Sequence, residues 1–200
     1  MKMKWITYLF LALLHFYFVK PASSQVAPSL QLQKTFGGCD DDVALCIICM
    51  SDEKFVIAGY AASNDGDVIN QHFQFEFWIF QLDSNMHIEW KKCFGGSMSD
   101  LAKSVKKCPD GGFILIGETD SPDGDVTGHH GGFSDNDIWV VKIDSLRNIE
   151  WQHCYGGTLP DYGIDIELTS DGGYFLVGEA ESYDDDIIGK RHSSKYIIYR

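Results

Sequence analysis

The chain repeats itself, and a repeat of this length governs what it can fold into. Glu89-Trp90-Lys91-Lys92-Cys93-Phe94-Gly95-Gly96 returns 61 residues on as Glu150-Trp151-Gln152-His153-Cys154-Tyr155-Gly156-Gly157, and Trp78 returns as Trp139 at the same offset. An earlier copy, Lys34-Thr35-Phe36-Gly37-Gly38, lies 58 residues upstream of its counterpart. Asp42, Asp100 and Asp161 follow the three Gly-Gly pairs at one distance. Phe55–Gly59, Phe113–Gly117 and Tyr174–Gly178 are equivalent apolar runs, and Asp65-Gly66-Asp67, Asp123-Gly124-Asp125 and Asp184-Asp185-Asp186 are equivalent acidic turns. Agreement at so many separate points is more than chance supplies. Such a chain buries its apolar faces by stacking copies of one supersecondary unit.

The middle copy shows what the unit is. Leu101–Lys107 alternates, Pro109-Asp110-Gly111-Gly112 is a tight turn, and Phe113–Gly117 is a short apolar run of the kind that fills a strand covered on both faces. A polar loop, Asp120–Asn136, leads to a second such run, Ile138–Ile143, and Asn148–Tyr155 alternates again. Four antiparallel strands per period of about 60 residues predict an all-β array of propeller type with three units, near 33–90, 91–151 and 152–200. The 20 glycines and 14% aromatic content suit a turn-rich β protein. Gly95-Gly96 is expected to let the chain pass to the next unit where a Cβ would clash. Leu30–Gln33 aligns with Ile88–Lys91 and predicts an opening fourth strand; Tyr196–Arg200 resembles the third strand of the last unit. Rings of this kind usually take 4–8 blades. Three units therefore imply a partial propeller or two copies paired head to tail, each opening strand completing the partner's last blade.

The first residues read as an address. Lys2 and Lys4 precede the apolar run Trp5–Val19; Lys20-Pro21 ends it, and Ala22-Ser23-Ser24 offers a cleavage site before Gln25. That is a secretory signal pattern over 1–24, with a repeat domain over 25–200 and no integral span after its removal. The net charge of −13, less the three lysines of the leader, leaves −16 on the secreted part. Such a charge argues against nucleic acid and anionic lipid as partners.

No motif identifies a catalytic, cofactor or metal site. Asp120, Asp123 and Asp125 lie close together, with Asp135 and Asp137 across the loop, but they lack a complete calcium-loop spacing, and capping of turns is the better account. His129-His130 has no ligand spacing and reads as surface loop. Six cysteines in an exported chain invite pairing, yet Cys93 and Cys154 fall in separate units and Cys46-x-x-Cys49 has no helix after it, so free thiols are favoured over bridges. Most acids obey the repeat, whereas catalytic groups on an array of like units break it. Glu118 and Glu179 are the carboxyls left for a glycan hydrolase and read as rim residues.

The pattern W-x-x-x-[FY]-G-G-x-x-x-D, then D-G-G-[FY]-x-x-x-G, S-x-D-G-D-V and D-x-W-V-V-K-I-D resembles secreted bacterial β-propeller repeat proteins of Bacteroidetes-like surface type. The resemblance covers about residues 30–200. Departures occur at Asp52-Glu53-Lys54, at Phe73–Trp78 and at Asp184-Asp185-Asp186. It implies a secreted or cell-surface scaffold that binds protein or glycan on its loop face without catalysis; the competing readings are a glycan hydrolase and a structural spacer.

Overall fold

The computed structural model describes residues 29–30, 32–51, 53–69, 74–132, 134–189 and 196–199. The chain divides into two compact units, Met1–Gln33 and Lys34–Arg200. The leader expected over 1–24 lies outside the described residues.

The second unit is all-β. Eleven strands are described: β1 Asp42–Cys49, β2 Phe55–Ala61, β3 Glu76–Leu82, β4 Ile88–Phe94, β5 Asp100–Lys107, β6 Phe113–Thr119, β7 Asp137–Ile143, β8 Ile149–Tyr155, β9 Asp161–Leu168, β10 Tyr174–Ala180 and β11 Tyr196–Tyr199. They form three antiparallel sheets in chain order: β1-β2-β3-β4, β5-β6-β7-β8 and β9-β10-β11. No helix occurs among the described residues, and none is long and apolar enough to cross a membrane.

The apolar runs become strands buried on both faces because the sheets stack. Every residue of β6 and β7 is buried. Successive side chains point to opposite faces. Phe113, Leu115, Trp139 and Val141 therefore pack on Val56, Ala58, Phe77 and Ile79 of the first sheet. Ile114, Ile116, Ile138 and Val140 pack on Ile166 and Leu176 of the third. The Phe77 and Trp139 rings meet at 4.6 Å. The first and fourth strands alternate in burial instead, as half-covered strands do.

One irregularity recurs in each sheet. The first strand bulges against the second between Ala44 and Cys46, between Ala102 and Ser104, and opposite Val177/Gly178. The glycine closing each apolar run faces that bulge. A Cβ on Gly117 would lie 2.8 Å from Ala102 Cα and closer still to the Leu101 carbonyl. The repeat keeps glycine there because the neighbouring backbone occupies the space.

Two features differ from the sequence reading. The fourth strand expected at Leu30–Gln33 is not formed: Leu30, Leu32 and Gln33 lie outside any strand, and Gln31 is outside the described residues. An extended segment becomes a strand only when an edge is alongside to take its backbone hydrogen bonds, and among the described residues two fourth strands are present rather than three. Secondly, the sheets divide the chain after Phe94 and Tyr155, at the Gly-Gly pairs, whereas the periods 33–90, 91–151 and 152–200 cut through β4 and β8.

Antiparallel order sorts the connections to two ends of the sheets. Tight turns join first to second and third to fourth strands. At the opposite end, here called the loop end, lie the longer loops between second and third strands and the Gly-Gly linkers from one sheet to the next.

Candidate functional site

The loop end is built from one latch, used three times. In the middle copy, Gly96 N–H donates to Asp100 Oδ2 at 2.8 Å, Ser97 N–H to Asp123 Oδ1 at 2.8 Å, and Met98 N–H to Ser121 Oγ at 3.0 Å. Ser121 Oγ in turn donates to Asp100 Oδ2 at 2.9 Å, and Asp125 N–H donates to the Gly95 carbonyl at 2.9 Å. Around Gly37-Gly38, Asp42, Ser63, Asp65 and Asp67 make the same bonds. Around Gly156-Gly157, Asp161, Ser182, Asp184 and Asp186 do so. Each linker has its amides satisfied by the first residue of the next strand and by the acidic loop of that same sheet.

The loop carboxylates considered for calcium are thus largely engaged as acceptors from backbone amides. For Asp123 and Asp125 the amides belong to the facing linker, a difference from simple turn capping, whereas Asp135 and Asp137 accept from amides of their own loop. Asp135 Oδ2 accepts from Gly132 N–H at 2.9 Å. Among the described residues no group of three His, Cys, Asp or Glu side chains could hold a metal ion.

Burial separates these acids electrically. Asp100 is fully buried, and burial pushes its carboxyl up to about 7 against the pull of its hydrogen bonds from Thr119, Gly96 and Ser121, with Glu76 adding repulsion. Burial likewise raises Asp161, and it raises Asp120, whose Oδ1 has no partner among the described residues. Asp42 is part-exposed.

The middle loop carries an addition that sequence reasoning missed. Asp137, at the start of β7 and fully buried, accepts from His130 N–H at 2.7 Å, and the His130 Nδ1 lies 2.9 Å from the same Oδ2. Burial raises its carboxyl, and the His130 bonds oppose the rise. His129 Nε2 lies 2.9 Å from the Asp135 carbonyl oxygen. The adjacent histidines are therefore half-buried parts of the loop rather than loose surface. No repeat signal marks them, because the first copy's loop is shorter and differently composed.

The carboxyls considered for hydrolysis are not brought into a pair that any contact defines. Glu118 forms an ion pair with Lys103 at 3.2 Å, and burial raises its pKa against the pull of that lysine. Glu179 is half-buried in β10. All six cysteines are unbridged; burial pushes the Cys93 thiol up to about 12 and raises Cys154 as well, so neither is a thiolate nucleophile near neutral pH.

Large apolar side chains stand exposed among the carboxylates of the loop end: Ile69 at 58%, Leu159 at 43%, Tyr183 at 56% and Ile188 at 89%. Ile69 and Ile188 occupy equivalent places, each just after the buried residue that anchors the acidic turn, Val68 and Ile187. At the tight-turn end, an apolar groove of about 250 Å³ lies between the second and third sheets, lined by Trp151, Tyr155 and Tyr174. Its counterpart between the first and second sheets is filled: the Arg147 guanidinium lies 4.3 Å from the Trp90 ring centroid and 5.1 Å from that of Phe113. No family model matches the chain, and no curated protein matches it.

Proposed function

We infer that the chain is a secreted or cell-surface array of propeller type, acting as a rigid scaffold that takes a protein or glycan partner on its loop end without catalysis. The observation that carries this reading is the exposure of Ile69, Leu159, Tyr183 and Ile188 on loops that the repeated latch holds in place. Exposed apolar side chains on a fixed frame lose little conformational entropy on binding. The surrounding carboxylates select against nucleic acid and acidic polysaccharide. The engagement of Glu118 by Lys103 favours binding over hydrolysis. Export rests on the leader pattern of residues 1–24.

The test is retention on glycan and protein arrays by residues 25–200. Retention without turnover is expected, and the double variant Ile69→Asp/Ile188→Asp should lose at least about tenfold in affinity, the scale of one to two kcal/mol at a well-packed contact. Undiminished retention by that variant would move the site away from the loop end. Hydrolysis of a glycan, lost in Glu118→Gln or Glu179→Gln, would replace the scaffold by an enzyme.

A further inference from the structure

Three cations converge on one cleft between the first and second sheets. The cleft holds about 420 Å³ and lies between β4 and the turn from β7 to β8, with Lys91, Lys92, Arg147 and Asn148 in its lining. The chain has 16 Lys and Arg against 29 Asp and Glu, so this lining is locally opposite in sign to the whole. In the next copy of the repeat Lys91 becomes Gln152 and Lys92 becomes His153, and in the copy before, Met86 stands where Arg147 does. Residues that serve the frame recur with it; this set occurs together only here.

Arg147 is held in place with its charge unanswered. Its guanidinium lies over the Trp90 and Phe113 rings, and Nη1 donates to the Ser145 carbonyl at 2.5 Å. The carboxylate nearest in the chain, Asp144, is spent within the turn: Oδ1 accepts from the Leu146 and Asn148 amides at 2.8 Å each, and Oδ2 from the Asn148 side chain at 3.3 Å. Arg147 Nε is buried without an acceptor, and Nη2 has none among the described residues. Burial lowers the pKa of this guanidinium against the attraction of Asp144. A cation drawn partly out of water is stabilised by an anion set beside it.

Lys92 projects into the same space. Trp90 and Phe94 belong to the core shared with the second sheet, and alternation puts Lys92 on their face of β4. Lys92 is exposed and has no ion pair or hydrogen bond among the described residues. Lys91, on the opposite face, donates to the Gly66 carbonyl at 3.3 Å and adds its field. Asp125 also lines the cleft; its Oδ2 accepts from Gly95 N–H at 3.3 Å, and its Oδ1 accepts from no donor among the described residues. Ile69 and Ile149 supply apolar borders.

We propose that this cleft binds a sugar acid, a small ligand with one carboxylate on a hydroxylated body. The carboxylate sits between Lys92 Nζ and Arg147 Nη2, and a hydroxyl donates to Asp125. Charge-assisted hydrogen bonds to a fixed guanidinium favour a carboxylate over a neutral group. Asp125 repels a second anion and accepts from a hydroxyl. The net charge of −13 disfavours a polyanion, so the fit is to one acidic sugar on a neutral body. The volume is that of a small-molecule site. The inference goes beyond the loop-end partner and does not rest on it.

The experiment is calorimetric titration of residues 25–200 with D-glucuronate and with D-glucose. Glucuronate is expected to bind with a Kd of about 1 mM, and glucose at least about tenfold more weakly. Arg147→Met takes the residue of the first copy, whose φ of 60° matches the 72° of Arg147, so the turn is kept. It should lose at least about tenfold in glucuronate affinity, and Lys92→Gln about three- to tenfold, with far-UV circular dichroism unchanged in both. Ile188→Asp, outside the cleft, should leave glucuronate affinity unchanged while it weakens retention on the arrays, so the two readings fail separately. Equal affinity for glucuronate and glucose overturns the proposal, as does full affinity in both cleft variants. Acetate binding as tightly as glucuronate would show that charge alone is read, which overturns the sugar acid. A glutamate-bearing tripeptide that binds more tightly than glucuronate would give the site to an acidic side chain and overturns it likewise.

Discussion

A single residue shows how the repeat sets chemistry as well as shape. Asp100 must accept from the Gly96 amide and from two hydroxyls, so it is kept, yet the stacked sheets bury it and raise its pKa to about 7. Unfolded, the same group titrates near about 4. A raised acid is protonated in the fold where it is ionised in the unfolded chain. Its contribution to stability is full below about pH 4 and is lost as the pH rises through about 7. Asp100→Asn keeps an oxygen for Gly96 and can donate to Thr119 where the acid oxygen now accepts. Melting curves from pH 4 to 7 should therefore fall less steeply with pH in this variant than in the parent, by up to a few kcal/mol across the window. An unchanged slope would mean that Asp100 is ionised throughout. A second residue-scale contrast lies at the repeated tryptophans. Trp139 Nε1 donates to Gln152 Oε1 at 2.7 Å, but Trp78 Nε1 has no acceptor among the described residues, because Lys91 stands where Gln152 does. Lys91→Gln should supply one and raise stability by about 0.5–1.5 kcal/mol, read by urea denaturation; a loss of stability would show that Lys91 does more in its bond to the Gly66 carbonyl.

At the scale of the element, the linkers and turns use glycine for two separate reasons. Gly96 has no room: a Cβ there would lie 2.7 Å from Ser121 Cβ and closer to the Asp123 carbonyl. Gly172 has room, with nothing within 4 Å, but its φ of 86° disfavours any side chain. Gly172→Ala is expected to cost about 1 kcal/mol from backbone strain. Gly96→Ala should cost more, about 2–3 kcal/mol, because the latch must open as well. Thermal melts that rank them the other way would refute the latch as the element that fixes the loop end. Both classes of glycine look alike in the sequence, since repetition marks position and not cause. The serines of the latch, Ser63, Ser121 and Ser182, were equally visible as repeated letters. Their role was not, because a hydroxyl shared between a linker amide and a strand-start carboxylate is a contact across about 20 residues. His130 carried no repeat signal at all, and only its placement beside a buried Asp137 shows what it does.

At the scale of the molecule, three sheets stack through two apolar layers, and the middle sheet is saturated on both sides. On the first sheet a further buried cluster, Ile57, Trp78, Phe80 and Leu82 with Phe36 against it, fills the face turned away from the second, whereas Phe175 and Val177 of the third are part-exposed. That asymmetry cannot be read from strand composition: Phe175 and Val177 are as apolar as Ile114 and Ile116, and Ile114 and Ile116 are the more buried because the third sheet packs on them. The same holds for Leu30–Gln33, whose likeness to β4 predicts a strand that no edge among the described residues completes.

The order of strands within each sheet, the tight turns and the glycine positions were determined by the sequence, because each is a local consequence of alternation, backbone sterics and a period of about 60 residues. The pairing of each fourth strand with its own sheet, the capture of linker amides by loop carboxylates, the raised pKa of Asp100 and the unequal burial of Ile114, Ile116 and their counterparts Phe175 and Val177 were decided only by the tertiary structure. These depend on which surfaces come to lie against one another, and burial, desolvation and hydrogen-bond competition are properties of that juxtaposition rather than of any stretch of chain.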